Sequence, residues 1–370
     1  MDFMLKKITF VGCIFCLFFS CIERDTYRIK VNLSNLKPQN IYAVYESAEL
    51  KTVDTIAYDG KGAFIITPKH DDYRTLTLYY ENFTQWITVY LEEPQQIVIS
   101  GNASSPQLVQ VKGGRINELL VTFRKETTPL LTELYTLSNE NDATQEDFNG
   151  HNRIARLANI HLDLRFQAED FINKHPAEKA SAILIREYFV DPDNPFQIDN
   201  LLGVLSSELD DFYVVQDLKS YAEKAKQTVV GAKAPDFNVR NIEGKMVTRD
   251  SFANRYFLMA FTSMWSDECH TKELHLDEII TSFPKDSLYV LLVSLDESPH
   301  ELRTLIRKEP IQWDIVPDSL GQAIELLDLY NVNVLPRGFL IDKAGQIILK
   351  TENGVELKQM LEQLIRKDKN

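Results

Sequence analysis

The sequence has no excess of positive charge, and this shortage excludes one class of partner. It contains 40 Lys and Arg against 54 Asp and Glu, which gives a net charge of −14 at pH 7. Nucleic acid is held by clustered cations that replace its counterions, so we exclude nucleic acid as a partner. The 370 residues are 44% hydrophobic and 25% charged. This composition predicts a globular protein of two or three domains rather than a disordered chain.

Cysteine is also scarce. Of four cysteines, Cys13, Cys16 and Cys21 stand close to the N-terminus, and Cys269 is the only one in the remainder. If the N-terminal cysteines are removed or modified, Cys269 has no partner for an intramolecular disulfide. An exported chain of this kind must depend on a large hydrophobic core instead.

Apolar runs that approach the length of a membrane span are absent except at the N-terminus. There the basic pair Lys6-Lys7 precedes "ITFVGCIFCLFF", a run that is short for a membrane span and typical of a secretory signal over residues 1–20. Ser20-Cys21 resembles the lipobox of bacterial lipoproteins, although Phe18 stands where leucine is usual. The resemblance implies that Cys21 is lipidated and anchors the protein in the membrane. An uncleaved N-terminal anchor is the alternative.

Both alternatives predict a cell-envelope protein that faces the periplasm or the cell surface. Ile22, which follows the candidate lipidated cysteine, resembles outer-membrane sorting signals and favours the outer membrane.

Residues 21–112 are predicted to form a β-rich domain. Segments such as "YRIKVNL" and "RTLTLYY" alternate polar and apolar residues, and Asp59-Gly60 is predicted to be a hairpin turn, so we expect an antiparallel β-sandwich or a small barrel. Four aromatic residues near one turn allow either core packing or a binding face: Tyr79, Tyr80, Phe83 and Trp86.

The rest of the chain changes its periodicity twice. Residues 113–228 repeat apolar positions at helical spacing, with breaks at His175-Pro176 and "DPDNP", and are predicted to be an α-helical region. Residues 229–370 alternate buried-strand runs such as "YFLMAFTSM" and "SLYVLLVSL" with helical segments. They are predicted to form an α/β domain.

The α/β domain resembles the TlpA-like and AhpC/TSA-like branch of the thioredoxin superfamily. The resemblance rests on "VGAKAPDFNVRNIEGKMVTRDSF", on "VSLD" and on "YNVNVLPRGFLIDKAGQI", in which Pro336 takes the place of the cis-proline. It implies a thioredoxin fold in a multi-domain envelope lipoprotein related to thiol–disulfide oxidoreductases.

The expected active-site sequence is altered at one decisive position. Relatives have W-C-x-x-C, whereas residues 265–269 read "WSDEC", so that Ser266 replaces the attacking cysteine and Cys269 keeps the second position. A serine hydroxyl forms no stable anion near neutral pH, so dithiol exchange is excluded. Ala260 stands where thioredoxins have a buried acid, which removes a proton acceptor as well.

Several roles for Cys269 remain open. It is a small buried residue if Ser266 serves only as a helix N-cap. As a peroxidatic thiol it would use Arg337 as a cation, although Asp267 and Glu268 disfavour the thiolate. It could also act as a single exchanging thiol, as a regulated thiol or, with His270 or His275, as a metal ligand.

We predict a protein that binds or scaffolds rather than exchanges disulfides. The groove formed by Trp265, Pro336 and Arg337, where relatives bind extended peptide, is expected to receive an envelope protein or peptide. No cofactor and no metal is predicted.

Overall fold

A computed structural model describes most of the chain. The described residues are 26–139, 149–263, 274, 279, 282–283, 286–296, 314–318 and 321–368. The chain divides into two compact units, Met1–Leu157 and Ala158–Asn370. Within the described residues no helix combines the length and apolar character that crossing a bilayer requires.

The first unit contains two four-stranded sheets. Their order is β4-β1-β7-β8 and β3-β2-β5-β6. The strands are β1 (Arg28–Ser34), β2 (Gln39–Glu46), β3 (Lys51–Tyr58), β4 (Phe64–Ile66), β5 (Thr75–Tyr80), β6 (Gln85–Tyr90), β7 (Gln96–Asn102) and β8 (Gln110–Lys112). Alternate residues such as Ile29, Leu76 and Ile99 are fully buried in one core. The β-rich domain predicted from the period-two pattern is thus present.

The predicted hairpin at Asp59-Gly60 is wrong. The turn joins β3 to β4, which lie in different sheets and do not pair with each other. The turn residues indicate where the chain reverses, but the partner of each strand depends on the distant residues it meets in the core. The strands are also not all antiparallel, because β1 pairs with β7 in parallel, with Asn32 opposite Ser100.

The four aromatic residues named above lie in β5, in the turn that follows it and in β6. Tyr80 is buried and its hydroxyl donates a hydrogen bond to the Ala103 carbonyl at 2.8 Å. Phe83 and Trp86 are more than half exposed, and Phe83 stacks on Tyr42 with ring centroids 4.6 Å apart. Tyr80 therefore packs in the core, whereas Phe83 and Trp86 lie on the outer face, and a binding role for that face stays a prediction.

The middle of the chain is helical, as its periodicity predicts. The helices are α1 (Arg115–Glu126), α2 (Thr128–Asn139), α3 (Asn149–Lys174), α4 (Lys179–Tyr188), α5 (Phe196–Leu202) and α6 (Tyr213–Lys226). The α3–α4 break contains His175-Pro176, and the α4–α5 break contains "DPDNP", because the residue before proline disfavours helix. The boundary between the two compact units falls inside α3.

The C-terminal part is a thioredoxin-like α/β domain. A hairpin of β9 (Asn238–Arg240) and β10 (Met246–Thr248) precedes a five-stranded sheet of order β13-β12-β11-β14-β15. The sheet strands are β11 (Tyr256–Thr262), β12 (Leu288–Ser294), β13 (Asp314–Pro317), β14 (Arg337–Ile341) and β15 (Ile347–Thr351). The helices described here are α7 (Gln322–Leu329) and α8 (Gly354–Asp368).

The central strands β11 and β12 are buried on both faces, as their continuous apolar runs predict. The strands β14 and β15 form an antiparallel hairpin, with Gly345 at a positive φ in its turn and a β-bulge between Leu340 and Ile341.

The incoming chain covers part of the outer edge of β15. The Gly231 amide donates to the Ile347 carbonyl at 2.7 Å, and the Ile347 amide donates to the Ala232 carbonyl at 2.9 Å. Main-chain groups near the start of β15 are thereby satisfied.

Candidate functional site

A buried polar cluster lies where β11 and β12 end. The strands run in parallel, with Thr262 opposite Ser294, so their carboxyl ends meet at one edge of the sheet. The Ser263 hydroxyl donates to Asp296 Oδ1 at 3.2 Å, and the Ser294 hydroxyl donates to Asp296 Oδ2 at 2.7 Å. All three side chains are buried. The hydroxyls fix the carboxylate at the edge where ligands bind in open α/β sheets.

Asp296 was missed as a candidate site residue by the sequence reasoning. "VSLD" contributed to the family resemblance, but no role was derived for its aspartate. The sequence Ser-x-Asp at the end of a buried strand could have indicated it, because polar residues at that point lie at the carboxyl edge of a parallel sheet. The buried carboxylate of Asp296 lies next to Ser263, and Ser263 precedes Ser266 by three residues in the sequence.

Pro336 lies beside the same edge. The Leu335–Pro336 peptide bond is cis, and β14 begins at the next residue. Arg337 pairs with Phe261 of β11 in the antiparallel register, so the proline segment adjoins the carboxyl end of β11.

The Arg337 side chain does not offer a free charge to a groove. Only 6% of it is exposed, and its Nη2 lies 3.2 Å from Glu352 Oε1 while its Nη1 lies 3.7 Å from Asp193 Oδ2. Two carboxylates therefore neutralise the cation that the peroxidatic interpretation would assign to Cys269. The partner Asp193 comes from the "DPDNP" segment, far from Arg337 in sequence.

Lys350 completes this ion-pair cluster from β15. Its side chain is 2% exposed, and its Nζ lies 3.2 Å from Asp193 Oδ1 and 2.9 Å from the Pro192 carbonyl. Burial lowers the pKa of Lys350 despite the opposing charge of Asp193. The helical region is thus held against the β14–β15 hairpin by two buried cations that share Asp193.

Ala260 lies in an apolar environment within β11. It is fully buried and packs in a cluster with Leu274, Leu292 and Ile315. An acid at this position would therefore be desolvated, and the described residues of the cluster offer it no polar partner.

The remaining predicted site residues cannot be placed in this geometry. Trp265, Ser266, Cys269 and His270 lie outside the described residues, as does Cys21. Of the predicted groove, the described part is Pro336 and Arg337, and the buried Ser263–Asp296–Ser294 cluster lies at the same edge of the sheet. The assignments of Ser266, Cys269 and Cys21 remain predictions.

Two families match separate parts of the chain. Residues 230–350 match the AhpC/TSA family, and residues 27–120 match a domain of unknown function, DUF4369. The first match agrees with the sheet order and identifies a thioredoxin-superfamily domain. The second coincides with the two sheets of the N-terminal unit.

Curated relatives of the C-terminal domain are thiol–disulfide oxidoreductases. The ResA protein of Bacillus cereus is 24% identical over 149 residues, which cover 40% of this chain and 84% of the relative. The ResA protein of Geobacillus thermodenitrificans is 28% identical over 138 residues, which cover 36% of this chain and 78% of the relative. The C-terminal domain is therefore related to thiol–disulfide oxidoreductases.

Solved structures of similar proteins include two from Bacteroides. A thiol–disulfide oxidoreductase from Bacteroides fragilis is 29% identical and covers 36% of this chain and 98% of its own, with a TM-score of 0.30. A thioredoxin-like protein from Bacteroides caccae is 17% identical and covers 61% of this chain and 87% of its own, with a TM-score of 0.39.

Proposed function

We propose that this protein is a lipid-anchored envelope protein whose thioredoxin-like domain has lost dithiol exchange and serves as a binding or scaffolding module. The observation that carries the proposal is Ser266 in the position of the attacking cysteine. Exchange begins with a thiolate that forms a mixed disulfide, and a serine hydroxyl cannot form that bond.

The described residues beside the site support a retained binding surface. Pro336 adjoins the carboxyl end of β11, and the Asp296 cluster is buried and hydrogen-bonded rather than open to solvent. Neither feature supplies a nucleophile. An envelope protein or an extended peptide is the proposed partner, and lipidated Cys21 is the proposed membrane anchor.

The purified natural protein is expected to show no catalytic turnover of a disulfide substrate in the presence of a dithiol reductant. Without an attacking thiol at Ser266, the rate should equal that of the Cys269→Ser variant. The measurement is substrate disulfide reduction followed over time. Turnover in the natural protein that disappears in Cys269→Ser would instead establish an oxidoreductase that uses one thiol.

The anchor has a separate test. Cys21→Ala is expected to leave the precursor uncut or to move the protein from the membrane fraction to the soluble fraction, because the lipid chains provide the apolar attachment. Fractionation and the mass of the N-terminal peptide measure this result. A variant that is still processed and still requires detergent for release would contradict lipidation at Cys21.

A further inference from the structure

An open groove lies in the N-terminal unit and is lined by none of the residues that carry the proposed function. Its volume is ≈ 410 Å³. It is formed where β1 and β7 end, and these neighbouring strands run in parallel. From here β1 leads to β2 in the other sheet, whereas β7 leads through residues 106–108 to β8 in the same sheet. Because the chain leaves these two parallel strands in different directions, a crevice opens at their ends. Ligands bind in crevices of this kind in open α/β sheets.

The lining of the groove is polar but carries no charge. Its polar side chains are Asn32, Ser34, Asn35, Tyr58 and Ser100, and the other lining residues are leucine and glycine. Each of these polar groups, an amide or a hydroxyl, can both donate and accept a hydrogen bond.

Hydrogen bonds within the protein fix part of this lining. The Ser34 hydroxyl donates to the Gly101 carbonyl at 3.0 Å, and the Tyr58 hydroxyl donates to the Gly62 carbonyl at 3.1 Å. Both hydroxyls retain capacity to accept. Asn32 and Ser100 lie opposite each other on adjacent strands, and within the described part of the chain neither side chain bonds to protein.

Two glycines of the lining are required by their backbone conformation and by close packing against neighbouring residues. Gly60 has a φ of +85°, and a Cβ there would lie 2.8 Å from Pro38 Cγ. Gly101 has a φ of +147°, and a Cβ there would lie 3.2 Å from the Val109 Cα. Any larger residue would require both an unfavourable backbone conformation and a displaced neighbour.

We propose that this groove binds a neutral saccharide. Sugar hydroxyls donate and accept as the lining does, and the part-exposed Tyr58 ring complements the C–H surface of a sugar ring. A charged ligand would lose hydration without meeting an opposite charge. An apolar ligand would leave Asn32 and Ser100 unsatisfied. An extended peptide is disfavoured because it pairs with a sheet edge, whereas the groove lies across strand ends.

Titration calorimetry of the full-length protein with uncharged trisaccharides tests the proposal. The probes are maltotriose, cellotriose, mannotriose and triacetylchitotriose, and trigalacturonate is the charged comparison. At least one uncharged probe is expected to bind at millimolar concentration or below. Asn32→Ala and Ser100→Ala are each expected to weaken that binding about fivefold, the effect of one hydrogen bond.

Matched variants locate the site. Ser100→Trp fills the groove and is expected to abolish binding, whereas Val98→Trp places the same bulk two residues earlier on the same face and should retain it. Lys30→Ala is the corresponding control for Asn32→Ala on β1. Circular dichroism checks that each variant is folded.

Three outcomes would overturn the proposal. One is the absence of binding by every uncharged probe at millimolar concentration, and another is tighter binding of trigalacturonate. The third is an equal loss of binding in each groove variant and its matched control. Because the groove and the thioredoxin-like domain lie in different units, failure here leaves the disulfide-turnover result unaffected.

Discussion

The Ser266→Cys variant is expected to form an intramolecular disulfide with Cys269 and to gain weak disulfide reductase activity. The substitution rebuilds W-C-x-x-C in a domain related to thiol–disulfide oxidoreductases. The natural protein lacks the attacking thiol, so the expected change is from no turnover to measurable turnover.

The gain should be limited by the surroundings of the new thiol. The sequence predicts a helix that begins at Ser266, and the N-terminus of that helix should lower the thiol pKa, whereas Asp267 and Glu268 should raise it. Each effect is worth about 1 kcal/mol or less at a partly exposed site, so a near-ordinary thiol pKa is expected. The alanine side chain at position 260 accepts no proton, and the described residues that pack around it are apolar.

Two measurements check this expectation. Thiol alkylation followed by mass spectrometry, after exposure to a glutathione redox buffer, counts the cysteines that have formed a disulfide. Reduction of a disulfide substrate measures turnover, and Ser266→Cys combined with Cys269→Ser is the control that retains the new thiol but not its partner. Failure of the pair to oxidise, or undiminished turnover in the control, would contradict the expected dithiol cycle.

The Asp193→Asn variant is expected to destabilise the second unit by about 2 kcal/mol. The substitution removes the charge 3.2 Å from Lys350 Nζ and leaves a 2%-exposed ammonium that contacts the Pro192 carbonyl and the Phe339 ring but no carboxylate at that distance. Removing one member of a fully buried pair costs about 3–5 kcal/mol, and we expect less here because Asp193 is itself half exposed.

The test compares variants in the full-length protein by urea unfolding. Lys350→Met removes the buried charge and keeps the side-chain volume, so it should change the unfolding free energy by less than about 1 kcal/mol. In the Lys350→Met background Asp193→Asn should cost less than it does alone. Asp170→Asn is the control, because it breaks the exposed Asp170–Lys174 pair and should cost less than about 0.5 kcal/mol. Equal losses for Asp193→Asn and Asp170→Asn would show that the buried cluster adds nothing to stability.

The sequence predicts those parts of the fold that depend on local periodicity. The strands β11 and β12 follow from uninterrupted apolar runs, because only a strand covered on both faces requires them. The β14–β15 hairpin and the helix breaks at Pro176 and the "DPDNP" segment also follow from neighbouring residues.

Features that depend on distant residues could not be predicted in this way. The alternating pattern of β3 and β4 is the same whether they pair with each other or, as observed, with β2 and β1. The burial of Lys350 depends on Pro192, which is 158 residues away. The buried position of Asp296 depends on Ser263, which directly follows the adjacent strand β11. Sequence alone therefore indicated Pro336 as part of the candidate site but not the buried carboxylate of Asp296 at the same edge of the sheet.

The ion-pair cluster and the β-bulge affect whether two molecules could associate through the edge strand β15. Because β15 is the last strand of its sheet, its outer main-chain groups are a template on which a strand from another molecule could add. Residues 231–232 cover that edge near Ile347, and the bulge at Leu340/Ile341 disturbs the regular pairing a second strand would need. Further along β15, the buried Lys350 ammonium would have to keep its ion pair with Asp193 if a strand from another molecule were added. The covering segment, the bulge and the paired Lys350 are therefore expected to oppose the addition of a strand to β15.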